Sequence, residues 1–282
     1  MPAVVIPKGS VLAIVFMLFL AVGCTRAGEL RTESRSVELE GAESVRTDLS
    51  MNTGNMVVAG GADNLMDATF TYNVARWRPE VSYEVGGEEG QLTVEQPDLP
   101  GPTFGDVRND WDVRLNDGVP IDLSVATSSG DLGLGDLSLR SLYIEASSGD
   151  ITADLGGGQP LLEEVEVDSS SGDVGVDLTG DYSSPMGLAV DLSSGDLLMD
   201  LAGEWEEDLD GEITLSSGTT TLELPQDVGV YVEAQTSSGD VNASGMQLKG
   251  DAYVNGAYEE SDVTLSLSAV ASSGDINLRL AG

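Results

Sequence analysis

The stretch Leu188-Ala-Val-Asp-Leu-Ser-Ser-Gly-Asp-Leu-Leu-Met-Asp-Leu201 decides the fold, because its centre, Ser193-Ser194-Gly195-Asp196, recurs along the chain. The same four letters stand at Ser128 to Asp131, Ser147 to Asp150, Ser170 to Asp173, Ser237 to Asp240 and Ser272 to Asp275, and a variant Ser-Ser-Gly-Thr stands at Ser216 to Thr219. The seven glycines (130, 149, 172, 195, 218, 239, 274) are separated by steps of 19, 23, 23, 23, 21 and 35 residues. A repeat of this length signals stacked supersecondary units.

Five residues before the glycine stand Val125, Ile144, Val167, Val190, Ile213 and Ala269. Two after it come Leu132, Ile151, Val174, Leu197, Thr220, Val241 and Ile276, and four after it Leu134, Ala153, Val176, Met199, Leu222, Ala243 and Leu278. The residues between are mostly polar, which is the period-two pattern of a strand with one buried face. Each unit therefore reads as strand, Ser-Ser-Gly-Asp corner, strand. One unit cannot bury its apolar side alone, so consecutive coils must pile up about 4.8 Å apart. The expected fold is all-β: a β-solenoid of stacked Ser-Ser-Gly-Asp rungs with an N-terminal β-hairpin insertion.

At the corner, glycine supplies a positive φ, and the aspartates are expected to cap the backbone of their own turns. The paired serines are expected to stack as hydroxyl ladders. The Gly156 to Pro160, Gly180 to Pro185 and Glu204 to Gly211 segments read as loops projecting on one side. The sequence stops just after the strand Ile276 to Leu280, so that strand is expected to be an open edge unless covered, with Arg279 as an edge charge against strand addition.

Acidic residues outnumber basic ones 49 to 12, for a formal charge of -37, and only Lys8 and Lys249 are lysines. Such a field repels nucleic acid, whose binding requires cations against phosphates. Asp154, Asp177, Asp200 and Glu223 sit five after a corner glycine, and Glu145, Asp168 and Asp191 four before one. Like charges stacked at rung spacing oppose one another by about 1 kcal/mol in water. They read as a solvated, salt-tolerant surface, or as a cation site.

Residues 1–23 have the form of a secretory signal: Lys8, then the apolar run Val11 to Val22, too short to span a bilayer. The run ends Leu20-Ala-Val-Gly-Cys24, which resembles a bacterial lipoprotein signal, and the resemblance implies that Cys24 is acylated. Cys24 is the chain's single cysteine, so no internal disulfide forms. Residues 24–36 read as a lipidated tether whose Arg26, Arg31 and Arg35 can rest on anionic headgroups. Residues 37–122 form a distinct N-terminal β region and 123–282 the repeats. Within the former, Thr53-Gly54-Asn55 marks a degenerate first rung, Ala68 to Asn73 and Val81 to Val85 read as strands, and Val85 to Val94 as a glycine-turned hairpin. Arg76-Trp77-Arg78-Pro79 is the basic aromatic cluster outside the tether, suited to an anionic partner or to a packed strand end.

The combination Gly60-Gly-Ala-Asp-Asn-Leu65, Phe70-Thr-Tyr-Asn-Val74, Arg78-Pro-Glu-Val-Ser-Tyr83, Asn109 to Asp117 and Val119-Pro-Ile-Asp-Leu-Ser124 resembles the toast-rack family of bacterial envelope proteins, related to the LiaF-like proteins of the cell-wall-active-antibiotics response. The later rungs are similar to that family's repeats and to adhesin-like solenoids. The resemblance implies a β-solenoid at the cell envelope and, in the LiaF-like branch, a part in sensing envelope stress. That branch places several membrane helices ahead of its β-domain, whereas a lipid anchor is expected here.

Catalysis finds little to use. The chain has no histidine, and serine nucleophiles without a base are inert. No enzyme activity and no cofactor are expected. Calcium is the better rival, with hard oxygen ligands from Asp131, Asp150, Asp173, Asp196, Asp240 and Asp275, although the nonapeptide of calcium-binding β-rolls is absent. The expected role is a lipid-anchored scaffold or interaction module outside the cytoplasm that meets an envelope protein or glycan. Stress sensing through a protein partner and calcium-assisted adhesion are the alternatives.

Overall fold

The corners line up. In the computed structural model, which describes residues 25–98 and 103–281, the strands before each corner form one sheet and the strands after it form another. The back sheet has twelve strands among the described residues and the front sheet eleven. Neighbouring coils pair in parallel and in phase. In the back sheet Leu49, Val125, Ile144, Val167, Val190, Ile213, Ala269 and Ala234 follow one another across the rungs. In the front sheet the succession is Met56, Leu132, Ile151, Val174, Leu197, Thr220, Ile276 and Val241. Their side chains meet between the sheets in one apolar core that runs from Ala42 to Leu278.

Glycine at the corner answers two demands at once. Gly54 and the seven repeat glycines all have φ between 112 and 143°, a region L-residues avoid. Each also lies against the rung beneath: a Cβ on Gly172 would sit 2.0 Å from the Gly149 carbonyl oxygen, and one on Gly195 2.0 Å from that of Gly172. Thr53-Gly54-Asn55 is thus a true corner, as its reading as a degenerate first rung implies.

The order of the last rungs departs from expectation. Val241–Ser244 is the outermost strand of the front sheet, and Ile276–Leu280 lies between it and Thr220–Leu224. In the back sheet Thr264–Ser273 is likewise inserted between Leu209–Ser217 and Gly229–Thr236. The 35-residue step is therefore a detour: the chain builds the end rung, covers the back edge with the antiparallel pair Gln247–Lys249 and Ala252–Val254, and returns to fill the gap. Ile276–Leu280 is not an open edge, and Arg279 ion-pairs with Glu223 of the next rung at 3.3 Å.

The other end uses the same device. Glu89–Glu95 and Asn109–Leu115 make a rung outside the Thr53-Gly54-Asn55 coil. At its bend Gln96 and Asn109 replace the glycine corner. Gln96 Oε1 accepts from the Asn52 and Thr53 amides at 3.0 and 3.1 Å, and Asn109 Nδ2 donates to Thr53 O at 2.7 Å. Antiparallel strands finish this end: Glu80–Gly86 on the back sheet, with its hairpin as expected, and Met66–Tyr72 followed by Arg31–Val37 on the front. The segment expected to be a tether is thus strand from Arg31 onward.

The three expected loops do not project. They form a third side of the coil that closes the core. Asp181–Tyr182 pairs in parallel with Glu204–Trp205. The Tyr182 and Trp205 rings stack 4.3 Å apart, both buried, and donate to the Leu155 and Leu201 carbonyls at 2.9 Å each. Burial raises the Tyr182 phenol well above its ordinary pKa. Leu155, Leu178, Leu201 and Leu224, each six residues after a corner glycine, are fully buried along this side. The 19-residue coil is too short to build a third side. Buried Gln159 of the next coil compensates, bonding Leu137 O and the Leu139 amide.

Candidate interaction surface

All six candidate aspartates fall in one exposed to half-buried column: Asn55, Asp131, Asp150, Asp173, Asp196, Thr219, then Asp275 and Asp240. They do not cap their own turns. In all but Asp240, which is on the outermost rung, Oδ1 accepts the backbone N–H of the next rung's equivalent residue: Asp131 from Asp150 at 3.1 Å, Asp150 from Asp173 at 3.0 Å, Asp173 from Asp196 at 2.9 Å, and Asp196 from Thr219 at 2.8 Å. Asn55 begins the ladder by accepting from Asp131, and Asp275 resumes it by accepting from Asp240. The self-capping role belongs instead to the aspartates that end the front strands. Asp154, Asp177 and Asp200 accept from the amides of Gly156, Thr179 and Ala202, two residues on.

The corner serines do not form the expected hydroxyl ladder. Ser148 Oγ donates to Ser128 O at 3.1 Å and Ser129 Oγ to Asn52 O at 3.4 Å, so hydroxyls bond the neighbouring backbone. With one oxygen of five of the six column aspartates held by an amide, the column acts as a structural ladder. Among the described residues no three acidic side chains converge as a metal-holding group. Cys24, the expected lipidation site, lies outside the described residues.

The ladder implies a measurable asymmetry between two substitutions. Asp196→Ala removes an acceptor between rungs and is expected to cost about 1 kcal/mol. Asp196→Asn keeps that acceptor and removes one of the stacked like charges, each opposing a neighbour by about 1 kcal/mol in water. It should be as stable as the parent or more so at low salt. Urea unfolding distinguishes them, and an Asn variant as weak as the Ala variant would refute the acceptor role.

The most distinctive open feature lies on the outer face of the back sheet. Two columns of outward residues cross the same five rungs: Glu164, Gly187, Asp210, Ser266, Tyr231, and Glu166, Ala189, Glu212, Ser268, Glu233. Rungs with long side chains alternate with rungs carrying only Gly187 and Ala189 or Ser266 and Ser268. The result is a groove of about 660 Å³. Its floor is small and partly apolar, Tyr231 stands at one end, and carboxylates border each slot on both sides.

Glu164, Glu166, Asp210, Glu212 and Glu233 take part in none of the ion pairs among the described residues. Acids two rungs apart stand roughly 10 Å from each other, close enough for a cation placed between them to be attracted to both. Beyond this groove the face changes character. Arg140 ion-pairs with Asp122, which also accepts from Ser141 at 2.9 Å. Burial works against the Asp122 charge, yet these bonds and the Arg140 and Arg46 guanidinium charges outweigh it and hold its pKa below the usual carboxylate range.

The sequence reading missed this groove because glycine, alanine and serine on an outward face carry no chemical signature of their own. The signal lay in comparing adjacent rungs at fixed offset.

Comparison with known proteins agrees with this architecture. Residues 26–160 match the N-terminal domain of toast_rack, DUF2154, and residues 112–279 match Toastrack DUF4097. No curated protein matches. Among solved structures, the chain is similar to a candidate cell adhesion protein from Clostridium sporogenes, with 23% identity, 90% of this chain and 100% of that one covered, and a TM-score of 0.51. It is also similar to a candidate lipid binding protein from Parabacteroides distasonis (13% identity, 90% and 99% covered, TM-score 0.44) and a candidate adhesin from Bacteroides fragilis (11%, 90% and 99%, TM-score 0.38). With the DUF4097 match covering well over half of its length, this chain belongs to the toastrack family.

Proposed function

We propose that this protein is a non-enzymatic interaction module of the cell envelope, lipid-anchored through Cys24, whose back-sheet groove receives a cationic segment of a partner protein. The alternation of small and carboxylate-bearing rungs carries this reading. It offers two slots, one at Gly187 and Ala189 and one at Ser266 and Ser268, each two rungs wide and flanked by acids. A peptide in polyproline II conformation advances about 9 Å per three-residue turn and returns every third side chain to the same face, so lysines or arginines at every third position match the slot spacing. Tyr231 adds an aromatic face for one of these cations. A catalytic reading has no such support: the chain lacks histidine, and corner hydroxyls such as that of Ser148 are spent on backbone carbonyls.

Calorimetric titration with a peptide of Lys-x-x-Lys-x-x-Lys pattern tests the groove. Binding is expected at 50 mM salt, weakening steeply by 300 mM, and at least tenfold weaker in Glu212→Gln/Glu233→Gln. Equal affinity in that variant would exclude the groove. A melting shift at millimolar calcium that survives the same substitutions would favour the cation-assisted alternative.

A further inference from the structure

The fold gathers basic and apolar side chains from three separate segments at the end of the stack where the described chain begins. Thr25–Arg26 pairs in parallel with Thr103–Phe104, and the Gly28 amide donates to Asn73 O at 2.7 Å. Residues 25–28 are therefore held on the corner side of the N-terminal end. Asn73 also grips the third segment: its amide donates to Arg108 O at 3.0 Å, and its Oδ1 accepts from the Arg108 amide at 2.8 Å.

Around this junction stand Arg31 and Arg35 on the edge strand, Arg76 and Arg78 flanking buried Trp77 in the turn Ala75–Trp77, and Arg108, all exposed. The Arg76-Trp77-Arg78 cluster thus anchors by its ring and presents its cations outward. Leu30 and Val107 are exposed here as well, by 54% and 38%.

Charge is distributed very unevenly. These five arginines stand among five carboxylates: Glu29, Glu80 and Asp106, which are exposed, Glu33 beside Arg35 and Arg78, and Asp110 beside Arg108 at 2.5 Å. Glu33 is shared by two guanidinium groups, and the hydrogen bond from Arg78 chiefly holds its pKa down to about 2. The rest of the described side chains include 44 of the 49 acidic residues and only five basic ones, Arg46, Arg114, Arg140, Lys249 and Arg279.

We infer that this end is a docking face for an anionic bilayer surface, so that the solenoid stands upright with its opposite end pointing away. The inference rests on the envelope placement proposed above and adds to it an orientation and a headgroup chemistry. Arg31 and Arg76, in none of the ion pairs of the described residues, meet lipid phosphates, while Leu30 and Val107 enter the interface between headgroups and acyl chains. The acidic body would be repelled by the same surface. At a Debye length of about 10 Å in 0.1 M salt, only the first two rungs or so feel the membrane, and the carboxylates beyond them are screened from it.

Co-sedimentation with vesicles tests this without the lipid anchor, using residues 25–282, which contain every described strand. Binding is expected to phosphatidylcholine vesicles carrying 30% phosphatidylglycerol at 50 mM salt, with loss at 500 mM and none to phosphatidylcholine alone. Arg31→Glu/Arg76→Glu should weaken it more than tenfold, whereas Arg46→Glu/Arg279→Glu, the same change of net charge placed elsewhere, should leave it intact. No binding to the anionic vesicles, equal binding to the neutral ones, or equal loss in both variants would overturn the inference. Such failure would leave the Cys24 anchor standing, since acylation is read independently from the mass of the N-terminal peptide.

Discussion

Gly172→Ala is expected to destabilise the protein by at least 3 kcal/mol, lowering its melting midpoint by roughly 6 to 12 °C. The methyl group meets two obstacles. At φ 112° the backbone is in a region closed to L-residues, and the new Cβ would fall 2.0 Å from Gly149 O, well inside contact distance. Relief would require the two rungs to separate, which would break the ladder from Asp150 Oδ1 to the Asp173 amide at that corner. Gly187→Ala is the matching control, because a Cβ there meets only Glu163 O at 3.8 Å, an ordinary contact. It should change the midpoint by less than about 2 °C. Thermal melts of the two variants decide the matter. Equal behaviour would mean that the corner column does not confine its glycines.

Trp205→Ala should cost about 3 to 5 kcal/mol, the range for deleting a buried aromatic ring. Its ring covers Tyr182 on the third side of the coil, and its indole N–H satisfies the Leu201 carbonyl. Removing it leaves a cavity beside Leu201 and an unpaired acceptor. Trp205→Phe keeps most of the stacking but loses the hydrogen bond, and should cost about 1 to 2 kcal/mol. Denaturant unfolding should rank the parent first, then Phe, then Ala. If both variants unfolded with the parent, the third side would contribute nothing and the coil would be closed by its two sheets alone.

The in-phase stack was legible because the repeat carries its own register: an apolar residue five before and two after the same glycine pairs with its counterparts whichever rungs are neighbours. That same regularity hid the order of the last rungs. Val241 and Ile276 occupy equivalent positions, so either could follow Thr220. What separates them is the small, polar character of Asn242, Ala243 and Ser244, which suits a rung with nothing beyond it. The aspartate ladder was misassigned because an Asp at a turn can reach its own backbone or the next rung's, and composition does not distinguish them. The third side did leave a signal: leucine recurs at positions 155, 178, 201, 224 and 280, each six after a corner glycine. It is weaker than strand alternation because one residue per coil carries it. The groove and the basic end arise from juxtaposition across rungs and between distant segments, which no local pattern encodes.

Rung order can be read directly with paired cysteines in residues 25–282, which contain no native cysteine. Thr221, Asn277 and Asn242 occupy successive rungs of the front sheet in that order. In Thr221→Cys/Asn277→Cys the two Cα atoms are direct neighbours in adjacent parallel strands, within the span a disulfide bridges. In Thr221→Cys/Asn242→Cys they lie about 10 Å apart, beyond it. Mild oxidation should crosslink the first pair rapidly and leave the second as free thiols. Rapid crosslinking of the second pair with none in the first would mean that the coils follow one another in chain order, and would contradict the stack described here.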